Sequence, residues 1–473
     1  MKSPICFGTD GWRAIIADGF TFENVARVAQ AAADYWRNHP VPGRLTRVVV
    51  GYDRRFFSDR FAACAAEVLA GNEFEVILTP AATVTPAVSL AVRDRHCIGG
   101  IMITASHNPP IFNGFKLKSH YGGSADPSIC QAVEACLDRS PIRRMPFAEA
   151  RHHRRIRQID LRPAHERAIR RLVDFDQIRR AALRVAHDAL FGAAAGAFTS
   201  LLSGTTCRVT SLHSEHDVRF GGLTPEPIPR NYGPVSSFLR RHPHDLCLVN
   251  DGDGDRLGAL DGQGRPLTTH QVVCLILYHL HCNRGLKGRV IKSITLTSMV
   301  DRMCAAWGLP LVETGVGFKY ICPELIKGDV LLGAEESGGI GLPGHIPERD
   351  GLAAGLVLLE LLAWERKPLQ AILLRLEQQF GPHRYGRMDL PVPMDRCARL
   401  LERLQTEPPD RLGRLSVADL KTFDGIKFIA KNGAWLMLRG SGTEPVLRIY
   451  AEAATEAEVE RLLQIGRRWT RVV

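Results

Sequence analysis

Between positions 251 and 256 the chain reads Asp251-Gly-Asp-Gly-Asp-Arg256, three carboxylates at alternate positions with glycines between them. Glycine lets a backbone fold tightly around a common centre, so Asp251, Asp253 and Asp255 can converge. Crowded carboxylates repel, and a cation relieves the repulsion. Hard oxygen donors point to Mg²⁺ or Ca²⁺. An EF-hand loop fails, because its sixth position would be Arg256 and its twelfth Gly262. A dinucleotide fingerprint fails as well, since Gly252, Gly254 and Gly258 do not have the required spacing.

Three further stretches carry reactive or anion-binding groups. Thr104-Ala-Ser-His-Asn-Pro109 places Ser106 beside His107 and runs on to Asn113-Gly-Phe-Lys116. A serine next to a histidine invites a hydrolase reading, but the G-x-S-x-G elbow is absent. With a separate metal loop in the chain, phosphoryl transfer fits better, because it needs charge neutralisation and in-line positioning more than a strong base. Arg439-Gly-Ser-Gly-Thr-Glu-Pro445 combines a guanidinium, two hydroxyls and glycine amides, a composition suited to a phosphate. Gly333-Ala-Glu-Glu-Ser-Gly-Gly339 offers Glu335 and Ser337, which suit sugar hydroxyls better than a glycosidase carboxylate pair.

The elements that must hold these loops are legible. Apolar runs at 48–53, 101–106, 246–251, 330–333 and 436–439 end abruptly in polar loops and read as buried strands. Helical patterns fall at 22–37, 61–70, 352–365 and 369–380. This alternation implies α/β domains, in which ligands gather beyond the carboxyl ends of the strands. At 473 residues the chain exceeds one core. Composition and turns suggest four units: 1–150 with the serine loop, 151–262 with the aspartate loop, 263–380 with the Glu335 loop, and 381–473 with the Arg439 loop, the last a smaller α+β domain. In that last unit, Thr455-Glu-Ala-Glu458 has the form of a capping box.

Composition narrows the partners. The net charge of +11 is compatible with anionic small molecules, and much of the excess lies in an arginine-rich stretch over 151–184. That stretch lacks the aromatic interleaving of a single-strand binder, so nucleic acid is not expected as the main partner and a solvated face is. The amino terminus lacks a signal-peptide core and the longest apolar run contains Glu360, so no membrane span and a cytoplasmic location are expected. The 12 cysteines are scattered without a CxxC pair, and neither disulfides nor zinc is expected.

Taken in order, the four loops resemble the signatures of the α-D-phosphohexomutase family, which includes phosphoglucomutases and phosphomannomutases. The resemblance runs from Phe7-Gly-Thr-Asp-Gly-Trp-Arg13 to the last domain. It implies three similar mixed-sheet α/β domains and a smaller fourth around a central cleft. It implies Ser106 as a phosphoserine, one Mg²⁺ held by Asp251, Asp253, Asp255 and a Ser106 phosphate oxygen, and catalytic roles for Arg13, His107 and Lys116, the last as a candidate for proton transfer. Glu335 and Ser337 would grip sugar hydroxyls, Lys319 and His345 would line the substrate site, and Arg439, Ser441, Gly442 and Thr443 would bind the non-reacting phosphate.

The implied reaction interconverts hexose 1-phosphate and hexose 6-phosphate through a hexose 1,6-bisphosphate, which also primes the serine. Glu335-Glu336-Ser337 resembles the phosphoglucomutase wording, so glucose is the expected sugar, with mannose and glucosamine phosphates as alternatives. Ala334 and Gly440 stand where the family often has Gly and Pro, and neither change removes a chemical group. A non-catalytic sugar-phosphate binder is the alternative of a different class, and retention of Ser106, the three Asp and Lys116 argues against it. Either a monomer or a homodimer is compatible with the sequence.

Overall fold

A computed structural model describes residues 5–8, 10–441 and 445–471. Its first sheet uses β1 (Trp12–Ile15), β2 (Leu45–Tyr52), β3 (Glu75–Leu78), β4 (Cys97–Ile103), β5 (Phe112–Ser119) and β6 (Ile156–Gln158) in the order β1-β5-β4-β2-β3-β6. The run Val48, Val49 and Val50 is wholly buried, as expected of a central strand covered on both faces. β2 runs parallel to β3 and β4, whereas β5 turns back antiparallel to β4. That reversal makes residues 104–111 the tip of a hairpin, with Ile103 opposite Phe115 at its base. The serine loop is therefore anchored on two buried strands.

The second sheet repeats the device. β7 (Arg184–Asp188), β8 (Arg208–Leu212), β9 (Leu246–Asn250), β10 (Leu257–Asp261) and β11 (Pro266–Leu267) lie in the order β11-β10-β9-β7-β8. β9 and β10 are antiparallel, and Asn250 faces Leu257 across the aspartate loop. All ten residues of these two strands are buried. Farther on, β12 (Arg289–Ser293) and β13 (Leu311–Thr314) pair in parallel, and β14 (Val330–Ala334) pairs antiparallel with β15 (Ile340–Gly341), closing the Glu335 turn.

The last domain is an antiparallel sheet of β16 (Arg384–Pro391), β17 (Arg411–Leu412), β18 (Leu415–Lys421), β19 (Ile426–Ala430), β20 (Trp435–Gly440) and β21 (Val446–Ala453), in the order β16-β21-β20-β19-β18-β17. Thr455 supplies the hydroxyl arm expected of a capping box, accepting from Glu458 N; the full reciprocal box forms instead at Thr268 and Gln271.

The elements anticipated around 22–37, 61–70, 352–365 and 369–380 are helices Phe22–Asn38, Ser58–Gly71, Gly351–Glu365 and Leu369–Phe380. Helix Gly351–Glu365 is apolar on every side, with 13 buried residues, and Asp350 caps it by accepting from Leu352 N and Ala353 N. Much of the arginine-rich stretch is exposed, including Arg151, Arg154 and Arg157. Among the described residues no helix is long and apolar enough to cross a membrane. By compactness the chain forms two units, one of Met1–Gly288 with Gly317–Leu369 and one of Arg289–Val316 with Gln370–Val473.

Candidate active site

The first unit brings the serine and aspartate hairpins together. Ser106 is fully buried, and its hydroxyl donates to Asp251 Oδ2 at 2.8 Å and lies 3.5 Å from His107 Nδ1. Its φ of +51° is a left-handed conformation that non-glycine residues adopt only when the surroundings enforce it. The enforcement is visible. Ser106 N donates to Thr104 Oγ1, which donates to Asp53 Oδ2 at 2.6 Å. The buried Arg55 guanidinium donates to four carbonyls of the same loop, those of Ser106, Asn108, Pro109 and Phe112, at 2.6–2.9 Å. Asp53 and Arg55 were not singled out from the sequence, although they sit where a signal existed, just past the carboxyl end of β2.

Asp251, Asp253 and Asp255 are fully buried, and one carboxylate oxygen from each lies within 4.8 Å of the others. Lys116 Nζ reaches Asp253 Oδ2 at 2.8 Å, Asp255 Oδ2 at 3.1 Å and Asp10 Oδ2 at 2.8 Å. Thr85 Oγ1 donates to Asp253 Oδ2. Two oxygens, Asp253 Oδ1 and Asp255 Oδ1, are buried with no hydrogen-bond partner. Orphaned carboxylate oxygens in a dry site are costly unless a cation meets them, so the donor set fits a hard divalent ion such as Mg²⁺.

The charges act on one another. Burial, and then repulsion from Asp255 and Asp253, pushes the Asp251 carboxyl well above its ordinary range. Burial opposes charge on Lys116 too, but Asp10, Asp253 and Asp255 outweigh it and hold the ammonium above its usual pKa. Burial, together with Arg256, Arg13, Lys116 and Arg349, drives the His107 imidazole well below its ordinary value. Arg13 reaches the serine loop by donating to Asn108 Oδ1 at 2.7 Å. A cationic ring thus surrounds a hydroxyl and three carboxylates, an arrangement that can neutralise a phosphoryl group in transit.

The Glu335 loop joins the same unit. Leu257 N donates to Gly338 O, tying it to the aspartate hairpin, and Glu335 Oε1 accepts from Ser337 Oγ at 2.7 Å and from Arg349 Nη1 at 3.3 Å. His345 Nε2 lies 2.8 Å from Asp350 Oδ2, beside His165, which reaches the same oxygen at 2.6 Å. These are hydrogen-bond lengths, so the three side chains form a clasp behind the loop. Lys319 lies 5.0 Å over the Tyr320 ring. Asp10 and Arg349 were missed by sequence reasoning. Arg349 stands four residues from His345 in the stretch Gly344-His-Ile-Pro-Glu-Arg-Asp350, and both side chains are buried; their partners distinguish them, Asp350 for His345 and Asp10, Asp255 and Glu335 for Arg349.

Arg439 and Ser441 belong to the second unit. Arg439 Nε donates to Asp424 Oδ1 at 2.9 Å, and Ser441 N donates to Val446 O. Both line a cavity of about 280 Å³ together with Asp424, Gly440, Cys397 and Val446. Gly442 and Thr443 lie outside the described residues.

A buried hydroxyl bonded to one of three convergent carboxylates that fit a cation, ringed by Lys and Arg and carried on mixed α/β sheets, suits metal-assisted phosphoryl transfer. Comparison with known proteins agrees. Models of the phosphoglucomutase/phosphomannomutase α/β/α domains I, II and III match residues 4–142, 164–264 and 268–380, and that of the C-terminal domain matches 399–465. A phosphoglucosamine mutase, so named, of Methanothermobacter thermautotrophicus is 30% identical over 96% of this chain and 95% of its own length. A phosphoglucomutase of Komagataeibacter xylinus is 28% identical over 97% of this chain and 89% of its own. A crystal structure from Thermus thermophilus, titled for phosphomannomutase, is 33% identical, covers all of both chains and superposes with a TM-score of 0.85. The chain belongs to the α-D-phosphohexomutase family, and its activity is that of a phosphohexomutase, an isomerase.

Proposed function

We propose that this phosphohexomutase interconverts glucose 1-phosphate and glucose 6-phosphate through a phosphorylated Ser106. The observation that carries the reading is the bond from the Ser106 hydroxyl to Asp251, inside a carboxylate cluster whose other two members keep orphaned oxygens. Asp251, Asp253 and Asp255, with an oxygen of the phosphorylated serine, would hold Mg²⁺, which supplies charge neutralisation at the transferring phosphoryl group. The P–O bond to Ser106 breaks as one forms to the free hexose hydroxyl, whose proton passes to the serine oxygen. Lys116, held as an ammonium, stabilises charge developing beside it, and Arg13 steadies the serine loop through Asn108. The resulting hexose 1,6-bisphosphate returns its other phosphate to Ser106 after reorienting, and the same bisphosphate primes the enzyme. Glu335 and Ser337 grip the sugar hydroxyls, and the Arg439 loop takes the phosphate that is not reacting.

Glucose is supported by the Glu335-Glu336-Ser337 wording, and a phosphoglucosamine preference by the Methanothermobacter relative. Recognising one C2 substituent over another needs only ~1–3 kcal/mol of differential binding. The test is kcat/KM for glucose, mannose and glucosamine 1-phosphates with Mg²⁺ and the matching 1,6-bisphosphate. Glucose 1-phosphate is expected to rank first, and Ser106→Ala to lose at least ~10³-fold. Undiminished turnover by Ser106→Ala would sink the phosphoserine route; a lead for glucosamine would overturn the sugar.

A further inference from the structure

Three consecutive charged residues, Glu348, Arg349 and Asp350, are all at most 3% exposed, and each is tied to a different part of the first unit. Glu348 Oε2 accepts from Lys118 Nζ at 2.6 Å and from Ser124 Oγ at 2.8 Å. Asp350 caps helix Gly351–Glu365 and receives both imidazoles of the clasp. Between these two anchors the backbone of Arg349 is held on both sides, and its side chain is directed into the reactive cluster.

There Arg349 touches three carboxylates of different assignment. Nη2 meets Asp255 Oδ2 at 2.9 Å and also Asp10 Oδ2, while Nη1 meets Glu335 Oε1 at 3.3 Å. The first two oxygens are the very ones that Lys116 binds. Gly339 leaves the room: a Cβ there would lie 2.7 Å from Arg349 Cδ and 2.8 Å from Glu335 Oε1. A guanidinium can hold several acceptors in a fixed plane, so displacement at one end is felt at the other. The longest of the three contacts is the one to Glu335, the group that a sugar hydroxyl would engage.

We infer that Arg349 is a positioning residue that couples sugar engagement at Glu335 to the Asp255–Lys116 side of the phosphoryl-transfer centre, so that transfer to a hexose hydroxyl is favoured over transfer to water. This rests on the proposed roles of Glu335 and the aspartate loop. A hydroxyl that donates to the Glu335 carboxylate draws on the same negative charge that holds Arg349 Nη1 at Oε1. The guanidinium then settles on Asp255 and Asp10, and these carboxylates and Lys116 take up one arrangement. Without a hexose the three-way sharing persists.

The experiment uses the full-length enzyme with Mg²⁺ and phosphorylated Ser106, and it measures two rates: isomerisation of the preferred hexose 1-phosphate, and hydrolysis of the phosphoserine without sugar. Wild-type isomerisation tests the functional reading by itself. In Arg349→Met the ratio of isomerisation to hydrolysis is expected to fall at least ~10-fold, through kcat more than KM, with partial recovery in Arg349→Lys. In a double-mutant cycle with Glu335→Gln, the two losses in kcat should combine to far less than their product. Gly339→Ala, which keeps every charge and crowds the guanidinium, should lower the same ratio. Independent, multiplying effects of Arg349→Met and Glu335→Gln, or equal losses of both rates, would overturn the coupling.

Discussion

Ser106 and Gly252 meet backbone to side-chain position: a Cβ on Gly252 would lie 2.5 Å from the Ser106 carbonyl oxygen and 3.2 Å from Pro225 Cγ. The contact is with backbone, which cannot swing aside, so the two hairpin tips are close only because residue 252 has no side chain. Gly252→Ala is therefore expected to separate the serine from Asp251 and to lower kcat by roughly 100-fold, the scale of a misplacement of about 1 Å. The measurement is kcat together with the phosphate occupancy of Ser106 by intact mass; a loss below twofold would show that the hairpins do not depend on this approach. The sequence marked this glycine only as one of several that allow a tight loop. Its partner lies 146 positions away and is visible only once the two sheets are side by side.

At the scale of elements, β19 presents Lys427 to the interior of the second unit. The ammonium donates to Ile294 O at 2.7 Å and lies 4.0 Å from the Trp435 ring centroid on β20, with 2% of the residue exposed. Lys292, Glu313, Asp301 and Glu452 also act on it, and Lys421 meets Glu313 at 2.6 Å. Burial first, and then the like charge of Lys292, lowers the Lys427 pKa to about 7 against the pull of the carboxylates. Unfolded, the same lysine titrates near about 10.4. Between these values the unfolded chain binds more protons, so folding gains stability as pH rises through the window, by up to ~1.4 kcal/mol per unit. Urea unfolding followed by tryptophan fluorescence at pH 7, 8 and 9 should show this slope, and Lys427→Met should flatten it. An identical slope in the variant would assign the effect to other groups. The strand itself was not among those read from the sequence, because Ile426-Lys-Phe-Ile-Ala430 interrupts its apolar run with a charge that only the tertiary surroundings bury.

For the molecule as a whole, Asp251, Asp253 and Asp255 lie in one compact unit and the Arg439 loop in the other. A cation that binds the folded aspartate cluster stabilises only the structure that contains it, by RT ln(1 + [L]/Kd), or about 2.7 kcal/mol at a hundredfold excess over Kd. Calorimetry with Mg²⁺ and with EDTA should accordingly move the transition that carries Met1–Gly288 and Gly317–Leu369. The same scan on Asp253→Asn, which removes one charge from the cluster, should show a much smaller shift. Equal Mg²⁺ shifts in the wild type and this variant would place the cation elsewhere.

The sequence by itself determined the chemical inventory and the class: alternate carboxylates after an apolar strand, a serine in a turn between strands, and an ordered set of loops. These are local patterns, written in residues close together along the chain, and strand and helix periodicity is local in the same way. What only the tertiary structure decided is which groups share atoms. Lys116 and Arg349 compete for the same oxygens of Asp10 and Asp255, Arg55 clips the serine loop from a neighbouring strand end, and His345 shares Asp350 Oδ2 with His165. Such pairings join residues up to 339 positions apart, and a side chain's charge and type do not specify its partner until packing brings both into the same few ångströms.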